Sequence, residues 1–458
     1  MFVSRSNELA ALESWWQRPG ASMALVWGRR RVGKTALVGR FAEARRAVFH
    51  TARGVGVAEE LDTFARKIPE GVDVGRRLDI APLTSWEDAL VTLAGAARHE
   101  PLLLVLDEYP DLAAGDPSID TRLRAVWDEV RSSTQLKVLL CGSAVRAMEA
   151  VAEHRSPLHG RFDLRMLVHP FRPDEAALLL PGLSPADRAR AWAICDGVPL
   201  YLSWWDQSSD VQGNLLRLAC EPGAPLRTEG EFLLATDGAS GGLTRQVLGA
   251  IAVGKNRHSE IVEAVTATRQ VARVLDDLER LRLVERVIPV TDDGSTRTGR
   301  TTYRISDNYL AFWLAMLSPH LGEIDRGMGR AVARHLGQRL DDHLGPRYEE
   351  AFRMHLRRLA ADGEFGPEAV KVGSFWTRGR DQVEIGAVVL AGLPATAVAV
   401  GECKWTERVA APPLRALLAR RAEALPRVAD TPRHVIGARS AVTDPGDALV
   451  ITAADIFA

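Results

Sequence analysis

Apolar positions along this chain change period several times, and each change marks an element. Residues 22–27, SMALVW, form a short continuous apolar run and predict a buried strand. ALVGRFAEA, from Ala36, carries the three- and four-residue spacing of a helix. PLLLVLDEY (101–109) is again continuous, as in a parallel strand covered on both faces, and it ends on acids. LKVLLCGSA (136–144) predicts a third strand. From 203 to 242 the pattern breaks into clusters of Gly, Pro and Ser, which predict a helical connector with loops. Then come helices in TRQVLGAIAVG and HSEIVEAV, and a third from Thr268 that places Val271, Val274, Leu275, Leu278 and Leu281 on one face. LVERVIPV and TTYRIS flank a turn, TDDGSTRTGR, as a hairpin, and ISDNYLAFWLAMLSPHL closes the region as a helix. After Gly345 the order is helix (RYEEAFRMHLRRLA), three strands (AVKVGSFW, QVEIGAVVL, ATAVAVGECKW), helix (PLRALLARRAEAL) and two strands (RHVIGAR, ALVITA).

Bulk composition narrows the class. A length of 458 residues exceeds one compact core, so two to four domains are expected. Hydrophobic residues make up 46% and charged residues 26%, the balance of a soluble globular protein. A formal net charge of -1 leaves no protein-wide field toward nucleic acid or anionic membrane, so such binding would rest on local patches. Cys141, Cys195, Cys220 and Cys403 lack zinc or disulfide-framework spacing. The first residues lack a signal pattern, and no apolar run nears the roughly 18 residues a membrane span requires. A cytoplasmic, reduced protein without membrane association is expected.

Candidate chemistry begins between the first strand and helix, where GRRRVGKT is G-x-x-x-x-G-K-[ST] in the strand–loop–helix setting the motif requires. Gly28 and Gly33 let the backbone curl. The amides of Arg29, Arg30, Arg31, Val32, Lys34, Thr35 and Ala36 then face a phosphate at a helix N-terminus. Lys34 is the cation for the β- and γ-phosphates of ATP, and the Thr35 hydroxyl is a ligand for Mg²⁺. Asp107, ending the second run, completes the Mg²⁺ shell, and Glu108 is the base that orients attacking water. The plainer alternatives are a Gly-rich turn and two strand-capping acids; both motifs together point to a P-loop NTPase. Ser143 is a candidate sensor of the γ-phosphate, or a turn-forming Ser. Arg161, in SPLHGRF, is a candidate γ-phosphate contact in cis or from a neighbouring subunit, or a solvated Arg; no local acid partner is evident for it.

In this order, GRRRVGKT, LLLVLDE, the Gly-Ser after the next strand, SPLHGR and DGVPLYL resemble the archaeal-type ATPases of the STAND class, relatives of AAA+ proteins. The resemblance extends over nearly the whole chain. In FVSRSNEL, Arg5, Glu8 and Leu9 match the family's N-terminal motif and Ser4 and Ser6 depart from it, which implies that Arg5 lies near the nucleotide base. Gly197-Val198-Pro199 matches a Gly-x-Pro turn in a helical lid, which implies packing of Gly197 and Pro199 near adenine.

Three helices and a hairpin make a winged helix-turn-helix. Arg269, Arg273 and Arg280 on its third helix and Arg297 and Arg300 on its wing can contact DNA phosphate, but Asp276, Asp277, Glu279 and Glu285 dilute that charge. In STAND-type proteins such a domain packs on the ATPase, and this intramolecular or protein contact is the preferred reading. The final α-β-β-β-α-β order is that of restriction-endonuclease-like folds, the PD-(D/E)xK class. VGSFW and GECKW match the landmarks of such a domain in the resembled family, while EIG stands where EID is expected. Glu402 and Lys404 share a strand face. Glu402 would bind a divalent cation and Lys404 would position water. The second carboxylate is missing at Gly386. Glu349, or Glu384 about 6.6 Å along the strand, would have to substitute.

The expected organisation is therefore α/β and multidomain. It comprises a P-loop ATPase core with a parallel sheet (1–168), a helical lid and connector (169–242), a winged helix-turn-helix (243–320) and a nuclease-like domain without metal catalysis (321–458). The expected function is an ATP-hydrolysing switch that takes ATP, ADP and Mg²⁺, with DNA, a protein or a second copy of the chain as candidate partner. The rivals are an ATP-regulated metal-dependent DNA nuclease and a slow-hydrolysing signalling scaffold.

Overall fold

The computed structural model describes residues 2–72, 83–236, 238–292, 299–379 and 382–458. The chain divides into two compact units, Met1–Pro170 and Phe171–Ala458.

The first unit is built on five parallel strands, β1 (Ser22–Trp27), β2 (Ala47–Thr51), β3 (Leu102–Asp107), β4 (Leu136–Gly142) and β5 (Phe162–Leu167), in the order β2-β3-β4-β1-β5. The continuous apolar runs are explained by burial on both faces. Along β3, Leu102, Leu104 and Leu106 enter one core while Leu103 and Val105 enter the other. Along β1, Met23 and Leu25 go to the first core, and Ala24 and Val26 to the second. The helix after the phosphate loop, Lys34–Ala42, covers the second face with Leu37, Val38 and Phe41. Because every strand runs the same way, the loops that follow β3, β4 and β1 emerge side by side on one edge, where ligands of open α/β sheets bind.

The second unit opens with helices, among them Pro185–Cys195, Pro199–Ser203 and Pro225–Thr236. Helices Gly242–Ala252, His258–Ala264 and Val271–Arg280 then precede an antiparallel hairpin of β6 (Val284–Val287) and β7 (Thr302–Ile305). Of the expected apolar face, Val271, Leu275, Leu278 and Leu281 are buried and Val274 half-buried. The 33-residue helix Gly329–Ala361 leads to a mixed sheet. Its strands are β8 (Ala369–Trp376), β9 (Glu384–Ala391), β10 (Thr396–Cys403), β12 (Val428–Ala438) and β14 (Leu449–Thr452), in the order β14-β12-β10-β9-β8. The short β11 (Arg408–Ala410) and β13 (Ala441–Thr443) pair separately. β8, β9 and β10 are antiparallel neighbours, and β10, β12 and β14 are parallel.

The long helix corrects one boundary. Gly345-Pro346 reads as a helix start, yet the helix runs through it, beginning at Gly329. Proline there removes one internal hydrogen bond, while Leu340, Leu344, Tyr348 and Phe352 are buried on both sides of it.

Candidate functional site

The phosphate loop has the curl its glycines imply. Gly33 has φ 90°, a backbone region that a side chain rarely adopts, and it caps the helix Lys34–Ala42. At Gly28 a Cβ would meet the Val168 carbonyl oxygen at 2.3 Å, so only glycine fits where the loop leaves β1 beside β5. Arg31 also takes a left-handed conformation, φ 69°. Arg5 grips this loop. Its Nη2 donates to the Val32 carbonyl at 2.8 Å and its Nη1 to Glu8 at 2.7 Å, and it is buried. The N-terminal motif thus holds the loop backbone, a role that spacing alone does not reveal.

Lys34 is buried and donates to the Arg29 carbonyl at 2.9 Å; among the described residues it has no ion pair. Burial lowers its pKa, while Cys141, Glu108 and Asp107 oppose that shift. The Thr35 hydroxyl donates to Asp107 Oδ2 at 3.0 Å. Asp107 is 1% exposed, and its Oδ1 makes no conventional hydrogen bond. A charged lysine, a hydroxyl and a buried carboxylate oxygen lacking a donor form the donor set that a phosphate with its divalent cation requires. The residues present therefore fit nucleotide and Mg²⁺.

Glu108 follows at φ 52°, ψ 45°, left-handed and non-glycine. Its Oε2 accepts from the Ser143 hydroxyl at 2.9 Å and the Ser143 amide at 3.2 Å. The end of β4 thereby fixes the carboxylate that ends β3. Asp107, Glu108, Ser143 and the loop 28–35 lie together on the same sheet edge.

Arg161 does not join them. It precedes Phe162, which pairs with Met23 at the far end of β1, whereas Leu167 pairs with Trp27 beside the loop. Five residues of strand, roughly 16 Å, separate it from the phosphate edge, so contact with γ-phosphate in cis is excluded by strand direction. Nor does it lack an acid: Nε and Nη2 donate to the two oxygens of Asp128 at 3.0 and 2.6 Å. This pair lowers the pKa of Asp128 and raises that of Arg161.

In the second unit, a Cβ on Gly197 would meet the Phe171 carbonyl oxygen at 1.8 Å, and Pro199 begins the helix Pro199–Ser203. The Gly-x-Pro turn is thus a close backbone approach.

The mixed sheet gathers Glu402, Lys404, Gly386 and Glu349. Glu402 lies on the central strand β10, buried and ion-paired to Lys404 and, at 3.6 Å, to Arg421. Burial lowers the Lys404 pKa, but its bond to Glu402 outweighs this and the net shift is upward. Glu349 on the long helix is raised mainly by burial, with further upward pushes from Glu402 and Glu384 against Arg353 and Lys404. Glu384 begins β9, exposed. A Cβ on Gly386 would lie 3.5 Å from Glu402 Oε2, so the position of the missing carboxylate faces Glu402 directly. Among the described residues no three His, Cys, Asp or Glu side chains are grouped to hold a metal. Arg421 was not legible as a neighbour of this cluster, because it comes from a later helix, while Arg353 stands one turn after Glu349 on the long helix.

Around the hairpin, Arg304 pairs with Glu285 and Glu350, Arg280 with Asp277, and Arg300 with Asp292. Arg297 lies outside the described residues. No helix among the described residues is long and apolar enough to cross a membrane.

Comparison with known proteins agrees with this geometry. Residues 2–204 match a family described as an ATPase domain predominantly from Archaea. Residues 313–416 match a family described as Archaea bacterial proteins of unknown function. An uncharacterized protein of Methanocaldococcus jannaschii is 24% identical over 414 residues, 89% of this chain and 88% of that protein. An uncharacterized ATP-binding protein of the same organism is 46% identical over 46 residues, 10% of this chain and 78% of that protein. Among solved structures, a Walker-type ATPase of Pyrococcus abyssi has a TM-score of 0.53 at 21% identity, covering 68% of this chain and 96% of that one. The family match and the fold agree with the loop geometry: residues 2–204 match an ATPase domain, and the parallel sheet with its phosphate loop has the fold of a P-loop ATPase.

Proposed function

We propose that this chain is a STAND-type switch in which ATP binding and hydrolysis in the first unit set the state of the second. The observation that carries the reading is the constellation on one sheet edge: Lys34, Thr35 bonded to Asp107, and Glu108 bonded to Ser143. Lys34 and the loop amides hold the β- and γ-phosphates, and Thr35 and Asp107 hold Mg²⁺. Mg²⁺, when bound, supplies charge neutralisation at the transferring phosphoryl group. Glu108 orients the water and takes its proton, and Ser143 keeps that carboxylate aimed and reports the γ-phosphate. Gly197 and Pro199 form the turn proposed for the adenine side.

In the second unit the three helices and hairpin are read as a winged helix. Of the arginines named for DNA contact, Arg280 and Arg300 are engaged by Asp277 and Asp292 of the same unit, and the neighbouring Arg304 by Glu285 and Glu350. That favours an intramolecular or protein contact, including a second copy of the chain, over DNA. The mixed sheet is read as a nuclease-like fold without metal catalysis, because Glu402 is neutralised by Lys404 and Arg421 and faces Gly386 where a carboxylate is required. These features support the switch over the ATP-regulated nuclease, and Glu108, held by Ser143, supports it over the slow-hydrolysing scaffold.

Hydrogen exchange tests the coupling. With Glu108→Gln holding ATP, amides within 171–458 should exchange differently from the ADP-bound and nucleotide-free chain. Identical exchange in all three states would leave a plain ATPase and remove the switch.

A further inference from the structure

The helix that follows β2, Val57–Val72, carries a buried acid that the hydrolytic scheme does not use. Glu60, in its first turn, is 3% exposed. Its Oε2 meets His50 Nε2 at 2.8 Å, and His50, near the end of β2, is fully buried against Phe64 and Trp86. Its Oε1 accepts from the Arg53 amide at 2.7 Å and from the Val55 amide at 3.4 Å. A buried carboxylate is costly unless it is hydrogen-bonded, and all of these bonds go to β2 or to the loop 52–56 that follows it.

That loop borders the catalytic edge. The sheet order places β3 between β2 and β4. Thr51, the last residue of β2, pairs with Asp107, and the Ala52 amide donates to the Asp107 carbonyl at 2.9 Å. This carbonyl belongs to the peptide that leads into Glu108, whose φ of 52° is costly for a residue with a side chain. Further along the loop, the Val55 carbonyl lies 3.4 Å from where a Cβ on Gly115 would stand, so the loop also packs on the helix Tyr109–Gly115 that Glu108 caps. Asp111 on that helix responds to both acids: burial raises its pKa most, Glu108 and Glu60 add to this, and Arg30 opposes.

We propose that Glu60 is a positioning residue for hydrolysis. By holding loop 52–56 it braces the Asp107–Glu108 peptide from the β2 side, as Ser143 holds the Glu108 carboxylate from the β4 side. Glu60 acts only through the loop. The proposal rests on the reading of this edge as an ATPase site.

The test compares the full chain with Glu60→Ala, Glu60→Gln and Gly54→Val in ATP hydrolysis, ATP affinity and amide hydrogen exchange. Glu60→Ala should lower kcat about tenfold or more, the scale of a slightly misplaced catalytic group, and leave KM and ATP affinity unchanged. Amides of 52–56 and 109–115 should exchange faster in it, and those of 22–27 should not. Glu60→Gln keeps an oxygen for the loop amides and should recover most of the rate. If Glu60→Ala does not fold, Gly54→Val decides by the same split of kcat from KM: Gly54 has φ 67°, which a branched side chain resists, and no atom lies within 4 Å of its Cβ position. An unchanged kcat, or equal losses of kcat and ATP affinity, would overturn the proposal. If the unaltered chain hydrolyses no ATP, the ATPase reading fails separately, and unchanged exchange at 109–115 in Glu60→Ala would overturn the brace.

Discussion

Arg161 and Asp128 show how far a single side chain can be placed from sequence. Their two-point pair lies on the surface at the edge of the sheet away from the phosphate loop. Arg161→Ala should therefore cost stability by no more than about 1 kcal/mol, the scale of an exposed pair, and leave the hydrolysis rate of the chain unchanged. Chemical denaturation and phosphate release measure the two. A large fall in rate with stability intact would return Arg161 to catalysis as a contact from a neighbour. Sequence suggested the catalytic role because a GR turn follows the sensor strand; the acid lies 33 residues earlier and the direction of β5 is a tertiary fact. Lys34, Thr35 and Asp107 were legible because a glycine loop and a strand-ending acid carry local signatures. The bond from Ser143 to Glu108 was not, since it joins the ends of two strands 35 residues apart.

At the scale of elements, two features make separate demands on the second unit. Gly386 on β9 faces Glu402 on β10, with room for a Cβ at ordinary contact. Gly386→Asp should fold, raise divalent-cation affinity at Glu402 and introduce weak nicking, while the unaltered chain cuts neither plasmid nor single-stranded DNA in Mg²⁺ or Mn²⁺. Cleavage by the unaltered chain that Lys404→Ala abolishes would mean that Glu349 or Glu384 supplies the missing ligand. The second feature is Glu350 on the long helix, which is joined to β7 by Arg304 and bonded within the helix by Arg353 and Arg357. Burial alone would raise its pKa, but the three guanidiniums outweigh burial and hold it well below the usual range. Because the folded pKa lies under the unfolded one, this stability is complete above the ordinary glutamate pKa of about 4.3 and is lost as pH falls below it. Glu350→Gln should cost on the order of 3–5 kcal/mol at neutral pH and flatten the acid limb of the stability profile; thermal unfolding against pH measures both. Strand alternation and the GECKW run made the sheet legible. The 33-residue helix was not, because Gly345-Pro346 is a stop signal that packing on both sides overrides.

For the whole molecule, both the parallel sheet of the first unit and the mixed sheet of the second follow from their hydrophobic runs. The chain divides at Pro170, two residues past the end expected for the ATPase core, whereas residues 171–458, expected as three domains, form one compact unit through contacts that no local pattern encodes. In the proposed switch nucleotide joins the units functionally, so that reading stands or falls on hydrolysis at the edge formed by β3, β4 and β1.

The most direct measurement is phosphate release from ATP·Mg²⁺ by the full chain, Lys34→Ala and Glu108→Gln, with ATP affinity measured on the same samples. The unaltered chain should hydrolyse ATP. Lys34→Ala should lose binding, and Glu108→Gln should keep binding while its rate falls by about 10²-fold or more, the scale of a water-activating base. An undiminished rate in Glu108→Gln, or hydrolysis that survives Lys34→Ala, would contradict the site described.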